Sequence, residues 1–175
     1  MKKYLFLGAS WAQITPLKYF KDSSNIEIYT LDNQPDNPGH LLAKVSFNIS
    51  TNDVSEIRKL VQKLGIDAIF CFGSDVGQLS QSILSREIGQ HSNPLDSIEI
   101  LTNKLKFRRF LIEKGIQSSF YMKLSEEDAK DKKSLNQLLS NLPLVVKPVQ
   151  GGGSKGVNFI FNENDLHLIY DSFKY

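Results

Sequence analysis

The chain has 175 residues, 41% of them hydrophobic and 23% charged, the composition of an ordinary globular domain or of one domain with a small second lobe. Twenty-one basic residues face nineteen acidic ones, and a formal charge of +2 is too even to point to a nucleic-acid or membrane-surface partner. One cysteine, Cys71, excludes an intrachain disulfide and fits a reducing compartment, and no window approaches the ~18 apolar residues of a membrane span.

The amino-terminal apolar run Tyr4 to Leu7 is too short for a signal peptide and ends at Gly8, so it reads as a strand buried on both faces. The expectation is a cytoplasmic protein. Ile14, Leu17 and Phe20 recur at spacing three and predict a helix over 14–20. Ile26 to Leu31 is a second strand, closed by the turn-forming run from Asp32 to Gly39, and Val45 to Ile49 a short third. Asn52 or Asp53 caps a helix bearing Val54, Ile57, Leu60, Val61 and Leu64, which Gly65 ends. Ala68 to Phe72 is another buried strand, followed by a helix over 75–88. Alternating strands and helices joined by short loops predict a parallel sheet, which binds ligands beyond the carboxyl ends of its strands. Those ends carry Ser10, Asp32 and the pair Ser74 and Asp75.

Beyond residue 95 the pattern changes. Thr102 opens an amphipathic helix through Lys114, with Gly115 as its stop. Ser125 and Asp128 form a capping-box pattern for a short helix, and a second helix covers 134–141. Leu144 to Pro148 and Val157 to Phe161 are strands, and Asn164 or Asp165 starts a last helix. Between those strands lies Gly151, Gly152, Gly153, Ser154, Lys155 and Gly156. The G-x-G-x-x-G spacing alone is weak. A dinucleotide loop leads from a strand into a helix, whereas this one joins two strands, and no Gly-Lys-Ser/Thr triplet makes it a Walker loop. A glycine-rich flap between strands suits closure over phosphates, because backbone without Cβ atoms can bring its N–H groups to the oxygens. A ligand-free hairpin turn is the plainer alternative. Lys147 ends an apolar strand, where a cation needs solvent or an anion. Lys104 lies in the first turn of its helix, against the helix dipole. Lys104, Lys106, Arg108, Arg109 and Lys114 together read most simply as a solvated helix face.

Asn103–Lys104 through Gly115–Ile116 resembles the helix that begins an ATP-grasp domain. Pro143 to Pro148 followed by Gly151 to Val157 resembles the strand–flap–strand of the same superfamily, in its carbamoyl-phosphate synthase and biotin carboxylase flavour. The upstream part resembles the family's pre-ATP-grasp domain. The resemblance implies an α/β fold: a Rossmann-like parallel-sheet pre-ATP-grasp domain over 1–95, a connecting helix and linker over 96–123, and the first, incomplete α+β lobe of an ATP-grasp domain over 124–175.

It further implies ATP-dependent ligation through an acyl phosphate, with small-molecule carboxylate and amine substrates, and extends to a homodimer. Lys104, Lys147 and the flap residues Gly151, Gly152, Gly153, Ser154, Lys155 and Gly156 match the family's ATP contacts. Ser10, Asp32, Ser74 and Asp75 match its substrate side. The complete enzymes use ATP and Mg²⁺, with metal ligands in a second lobe, and no metal ligands are expected in this chain. The 175 residues alone are therefore expected not to catalyse ligation and to bind ATP weakly. Two alternatives remain open: a non-catalytic nucleotide- or sugar-binding Rossmann-like module, and a regulatory fragment that pairs with a separate carboxy-terminal half.

Overall fold

The computed structural model describes residues 1–116 and 119–175; Gln117 and Ser118, in the expected linker, lie outside the described residues. The chain divides into two compact units, Met1–Glu99 and Ile100–Tyr175.

In the first unit, β1 (Lys2–Leu7), β2 (Ile26–Leu31), β3 (Val45–Phe47) and β4 (Ala68–Phe70) form a sheet in the order β3-β2-β1-β4, with every pairing parallel. The β1–β2 register runs from Lys2 opposite Ile26 to Leu7 opposite Leu31. Strand alternation divides the apolar residues between two faces. Leu5, Leu7, Tyr29, Leu31 and Ile69 pack against Ile57, Leu60 and Val61 of α2 (Val54–Leu64) and Leu84 of α3 (Gln78–Glu87). Phe6 and Ile28 pack against Leu17 of α1 (Ile14–Lys21), with Tyr4, Phe20 and Phe70 around them. Covering both faces is what made the strands read as unbroken apolar runs.

The local signals act where they stand. Asp53 caps α2 by accepting the Glu56 N–H at 3.0 Å, and Gly65 ends the helix at φ 63°. The expected fourth strand, 68–72, stops at Phe70. The backbone of Phe72 leaves the ladder because the Gln13 side-chain amide takes both its N–H and its carbonyl.

In the second unit the predicted helix over 102–114 is interrupted at its start. Residues Leu95–Thr102 form a separate helix, α4, which straddles the boundary between the units, and α5 runs Lys104–Glu113. Asn103 makes the break: extended at φ −107°, it accepts the N–H groups of Leu105 and Lys106, each at 3.1 Å. Ser125 and Asp128 bond reciprocally as a capping box should, at the head of a 3-10 turn over Asp128–Lys130. Asp131 then caps α6 (Lys132–Leu139). Strands β5 (Leu144–Val146) and β6 (Asn158–Ile160) pair antiparallel, confirming the hairpin. The carboxy-terminal helix is a 3-10 turn, Glu163–His167, capped by Asn162, continuing into α7 (Leu168–Ser172). One face of the hairpin, with Leu144, Val146 and Ile160, packs on Ala129, Leu138 and Ile169. Among the described residues no helix is long and apolar enough to cross a membrane.

Candidate nucleotide site

The second unit brings together segments that lie 47 residues apart in sequence. The first backbone N–H of α5, that of Lys104, donates to the Val149 carbonyl at 3.0 Å, fastening the helix start to the root of the glycine loop. The Lys104 Nζ then donates to the Gly151 carbonyl at 3.0 Å. One lysine thus holds the loop by its main chain and its side chain.

The loop itself is open. A Cβ placed on Gly151, Gly152 or Gly153 meets nothing within 4 Å, so the backbone there is accessible to a ligand. Gly156 is different. At φ 66° it lies where a Cβ would come within 2.8 Å of the Tyr175 ring and 3.0 Å of Pro148, so a side chain there would force the loop root apart. Ser154 occupies the left-handed region at φ 57°, a conformation uncommon outside glycine. Ser154 and Lys155 are exposed, as is Lys147 at the end of β5.

Lys104 and Lys147 line a single cleft of about 650 Å³, within the usual size range of small-molecule sites. Its walls are mixed, with Tyr121, Val145 and Tyr175 beside the two lysines. Beyond it the outer face of the hairpin is apolar and unpacked. Val145 is 49% exposed, its cross-strand partner Phe159 is 56% exposed, and the Phe159 and Phe161 rings stack 6.3 Å apart. The Lys147 carrier strand therefore presents apolar surface and a cation on the same side.

In the first unit the strand ends form a tied rim. The Asp32 carboxylate, 8% exposed, accepts the Ala9 N–H at 2.9 Å and the Asn37 side-chain amide at 2.8 Å on one oxygen. Its other oxygen accepts the Gln34 N–H at 2.9 Å. Gln13, fully buried, clamps the turn after β1 to Phe72 after β4. Ser10 and Ser74 are half-buried at these turns and Asp75 is exposed. Cys71 donates to the Ser74 carbonyl at 3.5 Å, and burial pushes its thiol up to about 11. Sequence reasoning passed over Gln13. The signal was present, since a polar residue at 13 shares the i, i+4, i+7 face with Leu17 and Phe20.

No protein-family model matches the chain, and no curated protein does. Solved structures do match. N5-carboxyaminoimidazole ribonucleotide synthetase from Thermotoga maritima is 25% identical with a TM-score of 0.65, the match covering 95% of this chain and 43% of that one. N5-carboxyaminoimidazole synthetase from Staphylococcus aureus, complexed with ADP, is 20% identical with a TM-score of 0.73 over 98% of this chain and 45% of that one. The chain has the N-terminal architecture of the ATP-grasp ligases. The biotin carboxylase domain of Hydrogenobacter thermophilus 2-oxoglutarate carboxylase, in complex with MgADP, ADP and bicarbonate, aligns over 99% of this chain and 41% of its own. That match has 17% identity and a TM-score of 0.69. The chain thus spans less than half the length of each of these ATP-grasp structures.

The donor set suits one part of a magnesium nucleotide better than the other. Two ammonium groups and an accessible glycine backbone fit a polyphosphate. Among the described residues, no three His, Cys, Asp or Glu side chains converge on a metal position.

Proposed function

We propose that this chain forms the first domain and the phosphate flap of an ATP-dependent carboxylate–amine ligase that works through an acyl phosphate. Residues 1–95 are assigned to the pre-ATP-grasp domain, 96–123 to the connecting helix and linker, and 124–175 to the first ATP-grasp lobe. The observation that carries this reading is the Lys104–Gly151 bond beside a cleft that Lys147 also lines. It joins the α5 lysine to the flap, with the strand lysine on the same cleft.

In this reading Lys104 and Lys147 neutralise phosphate charge, and the flap from Gly151 to Gly156 lays its N–H groups over the β- and γ-phosphates and sheds water from them. Val145, on the cleft wall, offers apolar surface for the base. Ser10, Ser74 and Asp75 face the substrate side, while Asp32 shapes that side through the bonds it accepts. Magnesium would neutralise the developing charge on the phosphates, held by ligands beyond those described in this chain. The neighbours' complexes with ADP and MgADP support the nucleotide class. The substrates are a small carboxylate and an amine or similar nucleophile.

The 175-residue chain is expected to bind ADP weakly and not to turn over. An NMR titration with ADP, adenosine and NAD tests the binding. Selective shifts at Gly151–Gly156 with ADP, abolished by Lys147→Gln, are the expected outcome. Equal response to NAD, or shifts confined to the first unit, would sink the proposal in favour of a Rossmann-like binding module. The exposed Phe159–Phe161 face favours one addition, that this surface is covered by a further lobe or chain in the working ligase.

A further inference from the structure

A sheet of order β3-β2-β1-β4 changes direction between β1 and β4: the chain steps outward from β1 to β2 and β3, then returns to lay β4 on the other side of β1. Open parallel sheets take their ligands at such a switch point, in the crevice between the turns that leave the two strands. Here those turns are 8–13 and 71–75, and the crevice between them is already filled. The Gln13 side chain is fully buried, donates to the Phe72 carbonyl and accepts the Phe72 N–H at 3.2 Å. The walls close around it. A Cβ on Gly8 would stand 3.2 Å from Gln13 Nε2, and one on Gly73 would stand 2.8 Å from the Ala12 Cβ. Two donors that a phosphate would use at this turn are committed as well. The Gly8 N–H goes to the Leu31 carbonyl at 2.8 Å and the Ala9 N–H to Asp32 at 2.9 Å.

A primary amide offers a donor and an acceptor side by side, and the Phe72 main chain presents the complementary pair. Gln13 therefore sits in the crevice as a small amide ligand would, but tethered to the first helix. The effect falls on the rim. Ser10 lies three residues before Gln13, and Ser74 and Asp75 lie two and three residues after Phe72. Exposed turns open locally at little cost unless bonds hold them. Both Gln13 bonds run from the turn that carries Ser10 to the turn that carries Ser74 and Asp75.

We propose that Gln13 is a positioning residue of the substrate side: its side-chain amide closes the switch-point crevice to a nucleotide and holds Ser10 in fixed register with Ser74 and Asp75. This rests on the reading of that rim as the ligase's substrate side and adds to it the residue that orders the rim.

The test compares Gln13→Met, which keeps the volume and loses both bonds, with Gln13→Glu and with Ile57→Val, a core change away from the rim. Without urea, Cys71 labelling in Gln13→Met should be about tenfold faster than in the wild type, which corresponds to ~1.4 kcal/mol of easier local opening. Ile57→Val should lower the urea midpoint yet leave labelling without urea within about twofold. Labelling that follows the midpoint equally in both variants would reduce Gln13 to a packing residue and overturn the proposal. Gln13→Glu supplies a pH signature. The protonated acid can still donate to the Phe72 carbonyl and accept its N–H, whereas the carboxylate can only accept. Burial disfavours the charged form, so the clamp should hold at acid pH and fail as pH rises through the raised pKa of the new side chain. The NMR amide signals of Ser10 and Ser74 should then move together from wild-type positions toward those of Gln13→Met. Asp32, His40, Cys71 and Asp75 titrate near the same rim, so the wild type and Gln13→Met are followed over the same range as controls. A profile in Gln13→Glu no different from theirs would overturn the proposal, as would shifts at 8–13 when NAD is added to the wild type. An absent ADP response at Gly151–Gly156 would instead sink the ligase reading, and with it the assignment of this rim to substrate, without moving any of the first-unit readouts.

Discussion

Replacing Asp32 by alanine should unfold the first unit well before it alters any surface. The carboxylate is 8% exposed and accepts three hydrogen bonds, from Ala9, Gln34 and Asn37. Ala9 is fully buried, so its N–H would be left without a partner or water, at a cost of about 1–3 kcal/mol. Asn37 is half-buried and Gln34 exposed, so their donors regain water and add a smaller amount. The expected loss is roughly 2–4 kcal/mol, a large share of a typical domain's 5–15 kcal/mol. For a unit the size of Met1–Glu99 that lowers Tm by roughly 10–20 °C.

Asp32→Asn should be milder, near 1 kcal/mol, because its carbonyl oxygen can keep the Ala9 and Asn37 donors and only the Gln34 side faces an amide. Urea titration with pulse labelling of Cys71 reads this unit alone, since Cys71 is the only cysteine and lies in β4's continuation. Its thiol, pushed to about 11 by burial, labels slowly at pH 8 while folded and rapidly once exposed. A shift for Asp32→Ala of less than about 0.5 kcal/mol would refute the reasoning and leave Asp32 as a ligand-facing carboxylate.

Three further outcomes are expected. Gly39→Ala sets a Cβ 2.6 Å from the Ala9 carbonyl oxygen and 2.8 Å from Leu17, so it should cost more in urea than Gly65→Ala. Gly65 has open space and only a φ of 63° to resist, worth about 1–2 kcal/mol; the reverse order would contradict the packing. Ile160→Ala, at a side chain 1% exposed against Leu138 and Ile169, should destabilise the second unit by about 2–5 kcal/mol and leave Cys71 labelling unchanged. The Ser134 backbone N–H and then its hydroxyl hold Asp131 below the usual carboxylate range. Its folded pKa is therefore the lower one. The stabilisation from this cap is complete above the unfolded value of about 3.9 and is lost as pH falls through the folded value. Amide protection over 134–138, taken relative to the intrinsic exchange rate at each pH, should fall on acidification in the wild type and stay flat in this pH range in Asp131→Asn.

Much of the fold is local chemistry and was readable in the chain. Asp53, Gly65, the Ser125–Asp128 box and the apolar runs of β1 and β2 act through neighbours within a few residues, so composition and spacing suffice to place them. The glycine loop and Lys147 were visible for the same reason. Other features depended on distance. That β1 lies between β2 and β4 follows from which strands bury one another's faces, and no residue states that alone. Asn103 opened the family resemblance, but that its side chain takes two backbone donors and parts α5 from the helix before it was not legible from the pattern, which ran one helix from Thr102. Gln13 meets Phe72 across 59 residues, and Lys104 meets Gly151 across 47. Arg108 and Arg109 are the same residue type side by side. Only packing, which set Arg108 along the cleft wall and left Arg109 exposed, distinguishes the two.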